Sequence, residues 1–371
     1  MTKIPNLKTY NLKNQKVVLQ LDFNNGLEKF EKTLSYLKKQ KSRLIIIGSG
    51  DQEELGSLSD FQKQLQDILG EKVVFIEKDL FRKTKSIKKE ISENHVLLKN
   101  LSFYSEENNN NSALGKKMAE LGDFYINDSF KDCVKKIASI NQIPRFLSAG
   151  AGFDVLKEIE ALKEKKEPPV TVIIGGDNIE QNIPWVVRFL HRADHILIGA
   201  ELTDYIMRVK GIRTGEQWPL KEETITMINS LDLPDPKLHF PIDLIVSTNY
   251  GRDSYSRQTA FGSIHKEENI LNIGPETVGL YSRIINSSNS VIWFGALGDD
   301  EDLEVRKQNT EIVQAVAECD YSLVGGSEAY LTLRTFGLLR EISHFCYGGE
   351  AMMEFLSKGS LPGIEALGQD E

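Results

Sequence analysis

Glycines at the ends of apolar runs are the first residues whose type and spacing suggest chemistry. Gly48 and Gly50 follow Leu44–Ile47, Gly175-Gly176 follow Val170–Ile174, and Gly199 follows His195–Ile198. Gly295 and Gly298 follow Val291–Phe294, and Gly325-Gly326 follow Tyr321–Val324. Glycine at such a turn lets the backbone approach a phosphate, and the helix that follows supplies N–H donors. Each turn alone is also a plain strand-to-helix connection. Several of them in one half of a chain point to a nucleotide or phosphate site. None fits GxxxxGK[ST] or GxGxxG.

Other reactive side chains carry less. His191 and His195 are four apart but straddle the end of a helix and the start of a strand, and no further ligand is in sight, so zinc is not expected. Cys133, Cys319 and Cys346 are far apart and form no CxxC, which reads as reduced thiols in a cytoplasmic protein. Met352-Met353 and Phe355 read as core. Trp185, Trp218 and Trp293 form no stacking platform, so nucleic acid is not expected as a partner.

The elements that must position these turns follow from the pattern of apolar residues. Val17–Leu21 precedes an amphipathic stretch from Leu27 to Leu37, and Leu44–Ile47 precedes Leu58–Leu69. Val73–Ile76, Val96–Leu98 and Phe124–Ile126 have strand length. A second series holds Val170–Ile174, His195–Ile198, Leu244–Val246, Val291–Phe294 and Tyr321–Val324. The break between the series is a charged helix end stopped by Pro168-Pro169. Alternating βα units of this kind predict an α/β protein with two doubly wound, Rossmann-like parallel sheets, joined by a helix over Asp154–Lys166. Asn108–Asn111 reads as a loop tip.

The 371 residues include 45 basic and 54 acidic ones, a net charge of −9, which argues against a general polyanion binder. No apolar stretch is long enough to cross a membrane, and the opening MTKIPNLKTYNLKNQK has no signal-type apolar run.

Taken in order, the fragments resemble the phosphoglycerate kinase family. Val17-Val-Leu-Gln-Leu-Asp-Phe-Asn24 resembles VLVRVDFN, Leu97–Tyr104 resembles LLENLRFY, and Tyr125–Phe130 resembles YVNDAF. Ala149–Phe153 with Lys157–Leu162 resembles the segment that leads into the family's interdomain helix. Ile174–Ile179 resembles LGGAKV, Phe240–Asp243 LPVD, Asn272–Pro275 DIGP, and Val291–Gly298 VWNGPMG. Val324-Gly-Gly326 resembles VGGGD, Gly348–Leu356 GGGASLEFL, and Leu361–Leu367 LPGVEAL. The matches are collinear and cover nearly the whole chain.

The resemblance implies the phosphoglycerate kinase fold. It assigns 1–150 to a phosphoglycerate-binding-type lobe, 151–167 to an interdomain hinge helix and 168–355 to a nucleotide-binding-type lobe. Residues 356–371 form a segment returning to the first lobe. It implies phosphoryl transfer between 1,3-bisphosphoglycerate and Mg-ADP, with positive charge meeting the transferring group.

Most of those charges are absent at the matched positions. The arginines read Gln20, Gly26 and Ser102, and SHLGRP reads Gly48–Glu53. HRAH reads Val134–Ile137, with Lys135 and Lys136 the basic residues left there and Lys99 nearby. In GGAKVSDK both lysines are asparagines, Asn178 and Asn182, and Asp177 and Glu180 add negative charge. The glycine-rich wall IGGGM reads Ile198–Leu202, with Ala200 and Glu201 in place of glycines. The asparagine and proline of WNGP are Phe294 and Ala296, and the third glycine of GGG is Glu350. An ammonium does not replace a guanidinium fork.

The remnants the resemblance leaves are Asp22, Asn24 and Lys135 for substrate, and Gly175, Gly176, Gly199, Gly295, Glu301, Gly325, Gly326, Gly348 and Gly349 for nucleotide. Glu328 is left as a metal ligand, and no catalytic residue is intact. Arg43, Arg82 and Arg145 are basic residues with no matched place. The expectation is a monomeric, cytoplasmic homologue that has lost phosphoryl transfer and binds a small phosphorylated ligand or a protein partner. The alternatives are an active divergent glycolytic kinase using Mg-ATP/ADP, a different ligand at the same site, and a purely structural interaction partner.

Overall fold

The computed structural model describes residues 4–24, 26–50, 55–77, 80–212, 219–248, 256–298 and 306–368. Trp218, Glu301, the stretch 51–53 and the side chain of Arg82 lie outside the described residues.

The chain divides into two compact units. Unit 1 holds residues 1–163 and 354–371, and unit 2 holds residues 164–353. In unit 1 the strands are β1 (Lys16–Asp22), β2 (Arg43–Ser49), β3 (Val73–Ile76), β4 (His95–Leu98), β5 (Phe124–Asn127) and β6 (Ala149–Ala151). They form one parallel sheet in the order β3-β4-β2-β1-β5-β6. β1 is buried from Val17 onward, as a central parallel strand covered on both faces must be. Leu19, Leu21, Leu44 and Ile46 of one face share a core with Phe30, Leu34, Leu37 and Leu65. The amphipathic stretch after β1 starts as a 3-10 turn, Leu27–Phe30, and continues as the helix Glu31–Lys39.

Unit 2 contains β7 (Val170–Ile174), β8 (His195–Ile198), β9 (Leu238–His239), β10 (Asp243–Ser247), β11 (Ser256–Ala260), β12 (Asn269–Ile273), β13 (Ser290–Phe294), β14 (Tyr321–Gly325) and β15 (His344–Cys346). Its parallel sheet runs β15-β14-β13-β7-β8-β9. Ile173, Leu197, Trp293 and Val324 pack there against Tyr281, Ile285, Ile312 and Val316.

The expectation for Leu244–Val246 is corrected. It lies in β10, the centre of a separate antiparallel sheet ordered β11-β10-β12, not in the parallel series. Asp243, at the start of β10, fixes that sheet to the helix Pro275–Asn286. One carboxylate oxygen accepts from the Thr277 N–H (2.7 Å) and hydroxyl (2.6 Å), and the other from the Glu276 N–H (3.1 Å) and Gln258 Nε2 (2.7 Å). The helix expected over Asp154–Lys166 spans Phe153–Lys163. At the loop tip, the Asn111 side chain accepts from the Ala113 and Leu114 N–H groups and so caps the helix Ser112–Ala119.

Candidate functional site

Open parallel sheets bind ligands beyond the carboxyl ends of their strands, where the strand order switches direction. In unit 1 that place lies between β1 and β5. A cavity of about 260 Å³ opens there, lined in part by Asp22, Asn24, Glu107, Lys131, Asp132 and Lys135. Asp22, Asn24 and Lys135, three residues singled out from sequence, therefore meet in one place. Glu107, Lys131 and Asp132 are the residues sequence reasoning missed.

Two charges of this cavity pair with each other, and two more bond to residues beside it. The buried Asp132 takes the Lys135 ammonium at 2.7 Å on one oxygen and the Ser129 hydroxyl at 2.7 Å on the other. Asp22 is buried too. It faces the Lys29 ammonium at 3.7 Å and accepts the Asn24 N–H at 3.0 Å. Glu107 accepts the Ser139 N–H (3.1 Å) and hydroxyl (2.5 Å), and burial pushes its carboxyl up to about 7. Ser102 donates to the Asn100 side chain at 2.7 Å, and Lys99 lies 4.5 Å from the Tyr104 ring centroid.

Two arginines without a matched place take no part. Arg43 opens β2, at the opposite end of the sheet, and pairs with Glu71 at 3.2 Å. Arg145 donates to the Gln142 side chain at 3.2 Å.

Next to the cavity, on the same face of β1 as Asp22, Gln20 is fully buried with neither amide atom hydrogen-bonded. The Tyr125 hydroxyl is likewise buried without a partner. Asp128, directly after β5, and Asp154, in the first turn of the helix Phe153–Lys163, form a second acidic group. Asp128 accepts the Asp154 N–H at 2.8 Å and is pushed up to about 6 by burial, while burial pushes Asp154 up to about 7.

In unit 2 the switch point lies between β7 and β13. The turns there are bonded to each other. The Gly175 N–H donates to the Phe294 carbonyl (2.9 Å), the Gly176 N–H to that of Ala296 (2.8 Å) and the Ala200 N–H to that of Leu297 (2.9 Å). This packing explains the glycines. A Cβ on Gly175 would sit 1.8 Å from the Ala296 oxygen, and one on Gly349 would sit 2.3 Å from the Gly326 nitrogen. Gly295 and Gly326 have φ of 80° and 104°, where glycine is favoured. Gly199 closes on Gly175 and Ala296, and Gly325 on Gly349 and Met352. Gly348 is buried, and its carbonyl accepts the Met352 N–H at 2.8 Å.

The matched lysine and glycine positions beside these turns carry amides and carboxylates. Asn182 is buried, and its Nδ2 donates to the carbonyls of Gly175 (2.9 Å) and Gly176 (3.3 Å). Asn178 donates to Gln181 at 2.9 Å. Phe294 stacks edge-on against Trp185, with ring centroids 5.0 Å apart. Asp177, Glu201 and Asp204 all bear on Tyr205 and, after the larger effect of burial, raise its phenol above the ordinary value. Glu180 is engaged elsewhere, accepting the Lys221 N–H (2.6 Å) and Thr224 hydroxyl (2.6 Å) at the start of the helix Glu222–Ser230. Glu328 stands in the first turn of the helix Ser327–Thr335, and Glu350 in that of Gly349–Lys358. Among the described residues no group of three His, Cys, Asp or Glu is placed to hold a metal ion.

Two parallel sheets with turns of this kind at their switch points define a doubly wound α/β protein. The phosphoglycerate kinase family profile matches residues 7–359, and the chain belongs to that family. The phosphoglycerate kinase of Moorella thermoacetica is 29% identical, with 97% of this chain and 98% of the relative covered. That of Thermomicrobium roseum is 27% identical over 96% and 97%. Among solved structures, phosphoglycerate kinase from Coxiella burnetii superposes with a TM-score of 0.78 at 24% identity, covering 99% of both chains. The Pyrococcus horikoshii enzyme gives 0.77 at 22% identity. These two likenesses show the fold. Among the described residues no helix is long and apolar enough to cross a membrane.

Proposed function

We propose that this chain is a phosphoglycerate kinase homologue that has given up phosphoryl transfer and keeps the scaffold for a binding or regulatory role. The observation that carries this reading is what occupies the matched cation positions. Asn182 is turned onto the carbonyls of its own glycine turn. Lys135, in the other unit, is held by Asp132. Transfer of a phosphoryl group depends on fixed positive charge around it, and one arginine acting there is worth ~10³–10⁵ in rate. Neutral amides do not neutralise that developing charge.

Mg-nucleotide suits unit 2 poorly. Helix N-termini favour anions, but Glu328 and Glu350 already place carboxylates at two of them, and Asp177 and Glu201 add to the negative field, while Asp204 is neutralised by Arg208 at 2.9 Å. In this reading residues 1–150 are the phosphoglycerate-type lobe, 168–355 the nucleotide-type lobe, and the glycines serve folding. The molecule is a cytoplasmic monomer, in keeping with three free cysteines. Its ligand is a small phosphorylated molecule or a protein.

The second reading is an active, divergent kinase of the same substrates. It is favoured by the single cavity that gathers Asp22, Asn24, Lys131 and Lys135. A coupled assay at saturating substrates, with calorimetry for Mg-ADP and 3-phosphoglycerate separately, decides between the two. The proposal expects no turnover, no rescue by Asn178→Lys alone, and Mg-ADP binding weaker than ~1 mM, about −4 kcal/mol. Micromolar Mg-ADP binding, or turnover that disappears in Asp22→Ala, overturns it.

A further inference from the structure

We propose that Lys131 is the anion-binding residue of the unit 1 cavity, and that its ligand there is a short polyol phosphomonoester that carries no carboxylate. The proposal rests on the reading above, in which the chain binds a small phosphorylated molecule without transferring its phosphoryl group. Lys131 lies outside the matched motifs, between Tyr125–Phe130 and Val134–Ile137. It opens the 3-10 turn Lys131–Val134 and lines the cavity, half-buried. The other charged side chains of the lining are engaged. Lys135 is taken by Asp132 at 2.7 Å, Asp22 faces Lys29 at 3.7 Å, and Glu107 accepts from Ser139. Among the described residues the Lys131 ammonium has no ion pair or hydrogen bond. Its three N–H donors are therefore open to an incoming anion, and a charged acceptor makes the stronger bond.

The rest of the lining decides what accompanies the anion. Asp22, Asp132 and Glu107 stand against Lys131 and Lys135, and Lys29 beside Asp22 brings the sum no higher than neutral. A second anionic group on the ligand finds no cation of its own and meets carboxylates. Among the described residues no arginine lines the cavity, so the forked donor that fits a carboxylate is missing. A hydroxyl suits the place, because it both donates and accepts. Asp22 has lone pairs beyond those in its present bonds, and the amides of Asn24 and Asn108 line the same wall. At about 260 Å³ the cavity falls below the ~300–1,000 Å³ of pockets for drug-sized ligands, which limits the molecule to a few carbons. Glycerol 3-phosphate meets these conditions. It differs from 3-phosphoglycerate only in a hydroxymethyl group in place of the carboxylate, so the two compounds isolate that group.

The full chain is titrated by calorimetry with sn-glycerol 3-phosphate, 3-phosphoglycerate and inorganic phosphate. The expected result is one glycerol 3-phosphate per chain with a dissociation constant below ~1 mM, and each of the other two at least fivefold weaker. Lys131→Met keeps the apolar stem and removes the charge, and it weakens glycerol 3-phosphate at least tenfold with the fold checked by circular dichroism. Lys131→Arg retains binding within about threefold, since the charge stays. Lys136→Ala, at an exposed position outside the lining, changes nothing. No glycerol 3-phosphate binding at ~10 mM, inorganic phosphate as tight as the ester, or unchanged affinity in Lys131→Met overturns the proposal. So does 3-phosphoglycerate as tight as glycerol 3-phosphate. Without turnover in the coupled assay that last result leaves the reading of a lost kinase standing, and with turnover it removes both.

Discussion

Lys135 and Asp132 sit one helical turn apart and meet at 2.7 Å, with the carboxylate buried and the ammonium half in solvent. The pair neutralises a cation that lines the unit 1 cavity. Asp132→Asn keeps the shape and the Ser129 contact but removes the charge. Exposure of the lysine limits the effect to about 0.5–1 kcal/mol, so inorganic phosphate or 3-phosphoglycerate should bind about two- to fivefold tighter. Calorimetry on the variant and the parent measures this, and equal affinities would count against it.

Glu107, Asp154 and Asp128 give unit 1 an unusual pH response. Their carboxyls stand at about 7, 7 and 6, above the ordinary carboxylate range, because burial disfavours their charge. The folded unit thus binds more protons than the unfolded chain. Their contribution to stability is fully present below about pH 4, where the unfolded carboxyls are protonated, and is lost as pH rises through 6 to 7. Urea midpoints for unit 1 should fall between pH 5.5 and pH 8. Glu107→Gln should flatten that fall and stabilise the unit at pH 8 by about 1–3 kcal/mol.

Gln20 occupies a fully buried strand position with no hydrogen bond for its amide. An unpaired buried amide costs about 1–3 kcal/mol, and methionine fills a similar volume without it. Gln20→Met should raise the stability of unit 1 by about 1 kcal/mol in a denaturant melt. A loss of stability would mean that the amide is paired in solution.

Gly175 and Gly262 form a contrasting pair. The first has the Ala296 oxygen 1.8 Å from where a Cβ would stand, and the second has nothing within 4 Å. Gly175→Ala should cost at least about 2 kcal/mol by forcing two backbone segments apart, while Gly262→Ala stays within about 0.5 kcal/mol. Thermal melts of the two variants provide the comparison.

The parallel strands were readable because burial on both faces leaves an unbroken apolar run, as in Leu44–Ile47. Leu244–Val246 was readable as a strand but not as part of a separate antiparallel sheet, since local pattern does not name a strand's neighbours. The glycine turns were visible, while their cause lay in residues more than a hundred positions away, such as Ala296 beneath Gly175. Glu107 and Asp132 were missed because a charged residue on a short helix or turn reads as solvated. Only Ser139, 32 positions from Glu107, reveals its burial.

The glycine-on-glycine contacts of unit 2 have a consequence for how the molecule's history is read. A turn held in place by its neighbours is indifferent to cargo. Selection for folding alone preserves Gly175, Gly295 and Gly349, whether or not anything is ever carried there. Asn182 serves the same turn, its amide donating to the carbonyls of Gly175 and Gly176. The turns behave as fixed rulers, and their glycines by themselves carry no record of cargo.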